Sequence, residues 1–220
     1  MIITLDGPAG AGKSSTARAL ARRLGWFYMD TGAMYRALTL VALEREVPLD
    51  DAARLAALAE SLAIAFRDGR VHVDDRDVSR EIRTERITDA TRSVADAPPV
   101  RDVMKRMQRL LAEGLDVVTE GRDQGSVVFP RAELKVFLTA SPEERALRRH
   151  REEQARGVGT ALEAVLAAQN RRDEGDRVRE VGAMKPADDA VLVETDGLTQ
   201  EEVVERLVRL IEERRQPPRT

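Results

Sequence analysis

The sequence predicts an α/β fold: a P-loop three-layer core with a five-stranded parallel sheet, carrying an α+β insert and a short lid. Three observations point there. Five short apolar runs occur at residues 2–5, 26–29, 117–119, 136–138 and 191–193, and all but the aromatic second contain β-branched residues. Most are separated by helical stretches, which is how strands of a parallel sheet with crossovers are spaced. Between the first run and the first helix stands Gly7-Pro8-Ala9-Gly10-Ala11-Gly12-Lys13-Ser14, which fits G-x-x-x-x-G-K-[ST] in the strand-before, helix-after context that pattern needs.

The elements follow in order. Residues 15–24 are rich in Ala, Arg and Leu and read as the first helix. The second strand ends in Asp30-Thr31-Gly32-Ala33-Met34-Tyr35-Arg36, a turn into a helix. Residues 36–115 then form an insert too large for a loop. Leu55, Leu58 and Leu62 suggest a helix, and residues 64–66 and 71–73 a hairpin around Asp68-Gly69. Pro98-Pro99 opens a helix with Val100, Val103, Met104, Met107, Leu110 and Leu111 on one face and Arg101 and Lys105 on the other. After the third and fourth strands, Ser141-Pro142-Glu143-Glu144 supplies a cap, a first-turn proline and a capping glutamate. Arg156-Gly157-Val158-Gly159 breaks two helices. The fifth strand precedes a capping box, Thr199 with Glu202, and the stripe Val203, Leu207, Leu210, Ile211. The reading is one domain over residues 1–220, with a core of 1–35, 116–150 and 160–220, the insert at 36–115 and the lid at 151–159.

The glycines of such a loop let backbone N–H groups turn inward on phosphate oxygens, and the helix behind adds the positive end of its dipole. Lys13 reaches the β/γ-phosphates and the Ser14 hydroxyl can ligate Mg2+, with Ser15 completing the loop. A nucleoside triphosphate is therefore the expected ligand. The absence of cysteine excludes disulfides and thiol catalysis and fits a cytoplasmic protein. Two isolated histidines, His72 and His150, argue against a histidine metal site. No stretch approaches a membrane span, so no membrane partner is expected. The net charge of −3 argues against a nucleic-acid partner. Yet lysine occurs only at 13, 105, 135 and 185, so nearly every cation is an arginine able to grip phosphate bidentately.

Where those arginines lie suggests the reaction. Thr31, Tyr35 and Arg36 follow the second strand; Glu120-Gly121-Arg122-Asp123-Gln124-Gly125 follows the third. Both lie at the carboxyl edge, where open α/β sheets bind ligands. Arg145, Arg148, Arg149 and Glu152 share one side of the capped helix. Beyond the glycine break come Arg171, Arg172, Asp173, Asp176, Arg177 and Arg179. Two arginine faces flanking a glycine hinge fit a lid that closes on a transferring phosphate, a reaction that needs positioning and positive charge more than a base.

Residues 7–15, 30–36, 120–130 and 172–179 together resemble the bacterial cytidylate kinases, a nucleoside monophosphate kinase family, and the resemblance runs essentially end to end. It implies ATP-dependent phosphorylation of CMP, and of dCMP, with the insert as monophosphate-binding lobe; a monomer is expected. It implies that Thr31, Arg36 and Arg122 hold the CMP phosphate and that Arg101 and Asp123 read cytosine. Arg172, Asp176 and Arg179 would reach the ribose, and Arg148 the ATP side; Lys13, Arg122, Arg148 and Arg172 would be the catalytic cations. Glu120 stands where the family usually has aspartate, Gln124 where it has an apolar residue. A base-facing hydroxyl is expected from residues 91–93. A kinase for another monophosphate such as UMP, or a non-catalytic nucleotide-binding module, are the other readings. A GTPase switch is excluded by its base-reading Asn-Lys-x-Asp, because the only asparagine, Asn170, is followed by Arg171.

Overall fold

The computed structural model describes residues 1–155, 157, 159–178 and 182–215. In chain order the elements are β1 (Ile2–Asp6), α1 (Lys13–Leu24), β2 (Phe27–Asp30), α2 (Thr31–Glu44), α3 (Ala52–Ser61), β3 (Ile64–Arg67), β4 (Arg70–Val73) and β5 (Arg76–Asp77). A 3-10 turn (Glu81–Arg83) leads to α4 (Glu85–Asp96), α5 (Pro98–Ala112), β6 (Val117–Glu120), a π-type turn (Gln124–Val128) and β7 (Leu134–Thr139). The chain continues through α6 (Pro142–Ala155), α7 (Leu162–Val178), β8 (Val191–Glu194) and α8 (Gln200–Arg215). All five anticipated strands of the main sheet are present. Their order is β2-β6-β1-β7-β8, with β1 parallel to β6 and β7, and β7 parallel to β8.

The chain divides into two compact units, Met1–Tyr28 with Leu115–Thr220, and Met29–Gly114. In the first, Ile3, Leu5, Val118, Leu134, Val136 and Leu138 of the central strands are buried against Leu20 of α1 and Leu207 and Ile211 of α8. Central β1 is buried on both faces, with Ile3 and Leu5 on one and Thr4 and Asp6 on the other. The Ser141 cap and the Thr199–Glu202 box form as expected, but the Glu144 side chain does not cap: Ser141 N donates to Asp196 Oδ1 at 2.9 Å, and Glu144 Oε1 accepts from Arg148 Nε. Glu144 N donates to Ser141 Oγ at 3.3 Å, and Thr199 and Glu202 close a reciprocal box, Thr199 N to Glu202 Oε2 at 2.8 Å and Glu202 N to Thr199 Oγ1 at 3.3 Å.

In the second unit the hairpin turns at Asp68 and Gly69, both with positive φ (51° and 72°), the backbone that matches strand twist. A third strand, β5, follows, and the sequence reading did not anticipate it. Its turn is Asp74-Asp75 at φ 47° and 70°, stabilised where Ala63 N donates to Asp74 Oδ1 at 3.0 Å. Aspartate tolerates the left-handed region by local hydrogen bonding, but it signals a hairpin less strongly than glycine. The α5 stripe also differs from expectation. Its buried face is Val100, Arg101, Val103, Met104 and Gln108, while Leu110 is 64% exposed. Of the expected lid tip, Arg156 and Val158 lie outside the described residues. Among the described residues no helix is long and apolar enough to cross a membrane.

Candidate active site

The glycine-rich loop leaves the carboxyl end of β1 at the centre of the sheet, where β1's neighbours β6 and β7 lie on opposite sides. Gly7 has φ 138°, and a Cβ there would lie 2.0 Å from Leu138 O, so the loop can approach β7 only with glycine at this place. Helix α1 starts from Gly12 in the left-handed region with no side chain capping its first turn. Its N-terminal N–H groups therefore face the loop rather than a cap, the arrangement that favours an anion. Lys13 is buried, and its Nζ donates to Pro8 O at 2.7 Å, which keeps the ammonium inside the loop.

Register brings the next group into place. Leu5 pairs with Glu120, so the end of β6 lies beside the loop, and Ser14 Oγ donates to Glu120 Oε1 at 2.7 Å. A hydroxyl and a carboxylate are the hard oxygen donors that suit Mg2+, an ion usually held by one or two protein oxygens with phosphates and water supplying the rest. The sequence reading assigned only Ser14 to the metal. Glu120 was missed because its partner lies 106 residues away in sequence. Among the described residues no group of three or more His, Asp or Glu side chains could hold a metal without such outside ligands.

Asp6, the last residue of β1, was also unassigned. It accepts Gln124 N at Oδ1 (2.8 Å) and Gly125 N at Oδ2 (2.7 Å), and so fixes the segment after Arg122-Asp123 to the start of the phosphate loop. Gln124 itself is buried and paired with Thr119, whose Oγ1 donates to Gln124 Oε1 at 3.1 Å, a use for a carboxamide where an apolar residue was expected. Burial pushes Asp6 up from 3.8 to about 6; the Gly125 and Gln124 N–H groups oppose this, Asp123 adds to it and Lys13 opposes it. A folded value above the unfolded one makes the neutral form the favoured one. Its contribution to stability is full below 3.8 and is lost as pH rises through about 6. Relative to Asp6→Asn, which cannot titrate, the wild type should lose up to about 3 kcal/mol of unfolding free energy over that window. Urea titrations at intervals from pH 4 to 7 would show it, and parallel curves for the two proteins would refute it.

Around Lys13 the cations accumulate. Burial, then Arg122, push Lys13 down from 10.5 to about 7, with Arg172 adding to the depression and Glu120 and Asp6 opposing it. Arg172 is exposed on α7, yet crowding by its neighbours, then Arg122, lowers it to about 10, against Asp176. Asp176 is buried, and Arg122 Nε donates to its Oδ2 at 2.9 Å. Asp123, beside Arg122, is 4% exposed. Lys13, Arg122 and Arg172 thus oppose one another's charge, as cations do where an anion is meant to sit between them. Arg148 lies elsewhere on the loop's rim: it donates to Thr195 Oγ1 (3.0 Å) and Thr195 O (2.7 Å), with Nη1 4.0 Å from where a Gly12 Cβ would be. Arg179 lies outside the described residues.

In the second unit, Asp30 caps α2 by accepting Ala33 N at 2.8 Å, and Thr31, the first residue of that helix, is buried. Arg36 returns one turn later to Asp30 Oδ2 at 3.3 Å, with Tyr35 half-buried beside it in sequence. Arg83 also reaches Asp30, at 3.6 Å, a second guanidinium to which the sequence reading gave no role. Arg101, placed on the polar side of its helix from periodicity, is in fact 7% exposed and donates from Nη1 to Ala95 O at 3.2 Å. Thr91 Oγ1 donates back to Ile87 O at 2.6 Å, so that hydroxyl is bound within its own helix.

Comparison with known proteins places the chain in a family. The sequence model of the cytidylate kinase family matches residues 3–213. Cytidylate kinase of Rhodopirellula baltica is 49% identical over 213 residues, 97% of this chain and 93% of that protein. Cytidylate kinase of a Geobacillus species is 47% identical over 216 residues, 96% of each. A crystal structure of an uncharacterized protein from Eubacterium ventriosum superposes with a TM-score of 0.53 at 12% identity, covering 96% of this chain and 98% of that one, a likeness of fold alone. With its phosphate loop, its convergent cations and relatives matched nearly end to end, the chain belongs to the cytidylate kinase family.

Proposed function

We propose that this chain transfers the γ-phosphoryl group of ATP to CMP, and to dCMP, giving ADP and CDP or dCDP. The observation that carries the reading is the convergence of Lys13, Arg122 and Arg172 beyond the phosphate loop. A module that only held ATP would have no use for a second cationic position there. The phosphate loop, residues 7–15, takes the triphosphate, with Arg148 on that side. Ser14 and Glu120 would hold Mg2+, which would supply positive charge against the triphosphate. Thr31, Tyr35, Arg36 and Arg122 would hold the acceptor phosphate, with the insert at residues 36–115 as the monophosphate lobe, and Asp176, Arg172 and Arg179 would reach the sugar. We read the enzyme as a cytoplasmic monomer.

The acceptor needs no general base. A phosphate monoester has a second pKa of about 6, so its oxygen is already ionised at neutral pH. That oxygen attacks the γ-phosphorus in line, the bond to the β–γ bridging oxygen breaks, and its electron pair leaves with ADP. What the protein must supply is position and positive charge, which Lys13, Arg122 and Arg172 provide.

Arg101 and Asp123 are assigned to cytosine. Cytosine offers a donor at its 4-amino group beside acceptors at N3 and O2, whereas uracil reverses the first two. A buried carboxylate accepts from the amino group, and a guanidinium donates to N3 or O2. A mispaired buried polar group costs about 1–3 kcal/mol. Asp123→Asn, which can also donate, should therefore narrow the CMP-to-UMP ratio of kcat/KM by about tenfold or more. An ADP-coupled assay with ATP and CMP, dCMP, UMP, AMP and GMP tests both levels. Turnover of another monophosphate in place of CMP would refute the function; an unchanged ratio in Asp123→Asn would refute only the base assignment.

A further inference from the structure

We infer that the buried Arg145–Asp173 pair is a positioning device, which ties the triphosphate loop to the helix that aligns the catalytic arginines. The inference rests on the phosphoryl-transfer reading above. Arg145 lies on the first turn of α6 with its side chain 3% exposed, and Asp173 on α7 is equally buried. Arg145 Nε donates to Ala140 O at 3.0 Å, and its Nη1 donates to Ala9 O at 2.9 Å and to Asp173 Oδ2 at 2.5 Å. Ala9 is part of the phosphate loop, so one guanidinium holds that loop, the end of β7 and α7 together.

The loop backbone rests directly on both helices. A Cβ on Gly10 would lie 2.9 Å from Arg145 Cβ and 3.3 Å from Gln169 Oε1 of α7. On α7, Gln169, Asp173 and Asp176 follow at spacings of four and three, share one buried face, and each meets a different part of the site. Gln169 touches the loop's flank, Asp173 takes Arg145, and Asp176 takes Arg122 Nε at 2.9 Å. Arg172, one of the converging cations, is the neighbour of Asp173 in sequence. A rigid helix rises about 1.5 Å per residue, so where Asp173 is pinned also sets where Arg172 and Asp176 stand. The loop that takes the donor and the arginines that face the transferring group thereby share one reference point.

A stabilising staple would not need these residues. A buried ion pair gains little over apolar side chains of the same volume, because desolvation offsets the attraction. Here Asp173 Oδ1 is buried with no hydrogen-bond partner among the described residues, which adds to the cost. What the pair supplies is direction, in particular the hydrogen bond to Ala9 O.

The test replaces the pair by apolar side chains in the full-length protein, Arg145→Met together with Asp173→Leu, and compares kcat, KM and thermal unfolding with the wild type. A staple predicts normal kcat once the helices are packed again. A positioning device predicts native-like unfolding, KM values for ATP and CMP changed by less than about threefold, and kcat lower by about ten- to a hundredfold, the size expected for a misplacement near 1 Å. A folded double variant with kcat within about twofold of wild type overturns the inference. If the double variant does not fold, Asp173→Asn, which keeps volume and an acceptor oxygen, decides on the same split, with a kcat loss of about tenfold expected. The wild-type assay separates the two levels. No CMP turnover by wild type refutes the function, whereas normal turnover by both proteins refutes only the positioning role.

Discussion

Lys13→Ala is expected to lower kcat by about three orders of magnitude while the protein remains folded, the scale of losing a preorganised charge at a developing anion. Lys13 is a single ammonium inside the loop, held by Pro8 O. No neighbouring lysine can substitute, since the others stand at 105, 135 and 185. The fold should not suffer. Burial and the nearby Arg122 depress Lys13 from 10.5 to about 7, so the folded protein binds this proton less well than the unfolded chain. For such a base the cost of burial is fully present below pH 7 and is relieved as pH rises toward 10.5. Removing the group at neutral pH therefore removes a burden, and the variant's Tm should equal or exceed that of wild type. A coupled assay beside a thermal melt would test both statements. Near-normal turnover would refute the role given to the loop.

Much of this site could be read from residues adjacent in sequence. The phosphate loop is a contiguous pattern whose glycines and lysine act where they stand, and the strands that frame it are short apolar runs with a local signature. The placement of Arg122 and Asp123 followed from chain order alone, because the end of a parallel strand is the ligand edge of the sheet. What sequence did not show depends on pairing across distance. Glu120 acquires its place from Ser14, 106 residues earlier, and Arg122 from Asp176, 54 residues later. Arg145 looked like one more cation on a charged helix, yet it is the one that turns inward, because Ala9 O and Asp173 await it. Arg101 shows the limit of periodicity in the same way. Helical spacing says which side a residue faces, not whether another segment covers that side, as the carbonyl end of α4 does at Ala95. The Asp74-Asp75 turn was missed for a local reason: its backbone is that of a tight hairpin, but its residues are those of a polar loop.

Arg172→Met should lower kcat by about a hundredfold, with smaller changes in the KM values, because the lost charge matters most when the phosphoryl group is between donor and acceptor. Arg172 repels both Lys13 and Arg122, so its presence costs the enzyme something unless an anion repays it. That balance yields a second, independent signature. With Arg172 gone, one of the influences depressing Lys13 disappears, and the Lys13 ammonium should titrate at higher pH than in wild type, measurable by NMR of the labelled side-chain nitrogen. Arg172→Lys would keep the charge without the planar fork and should recover about a tenth or more of the lost rate. Arg171→Met, one residue earlier on the same helix and exposed like Arg172 but not among the charges that act on Lys13, serves as the control and should stay within about twofold of wild type. Equal losses from Arg171→Met and Arg172→Met would mean that α7 contributes only its general positive charge. A loss from Arg172→Met with no movement in Lys13 would mean that the arginine acts on the substrate from a place apart from the loop. The converging cations require both effects in the same variant, since the charge that stabilises the moving phosphoryl group is also one of those that hold Lys13 down, after burial and Arg122.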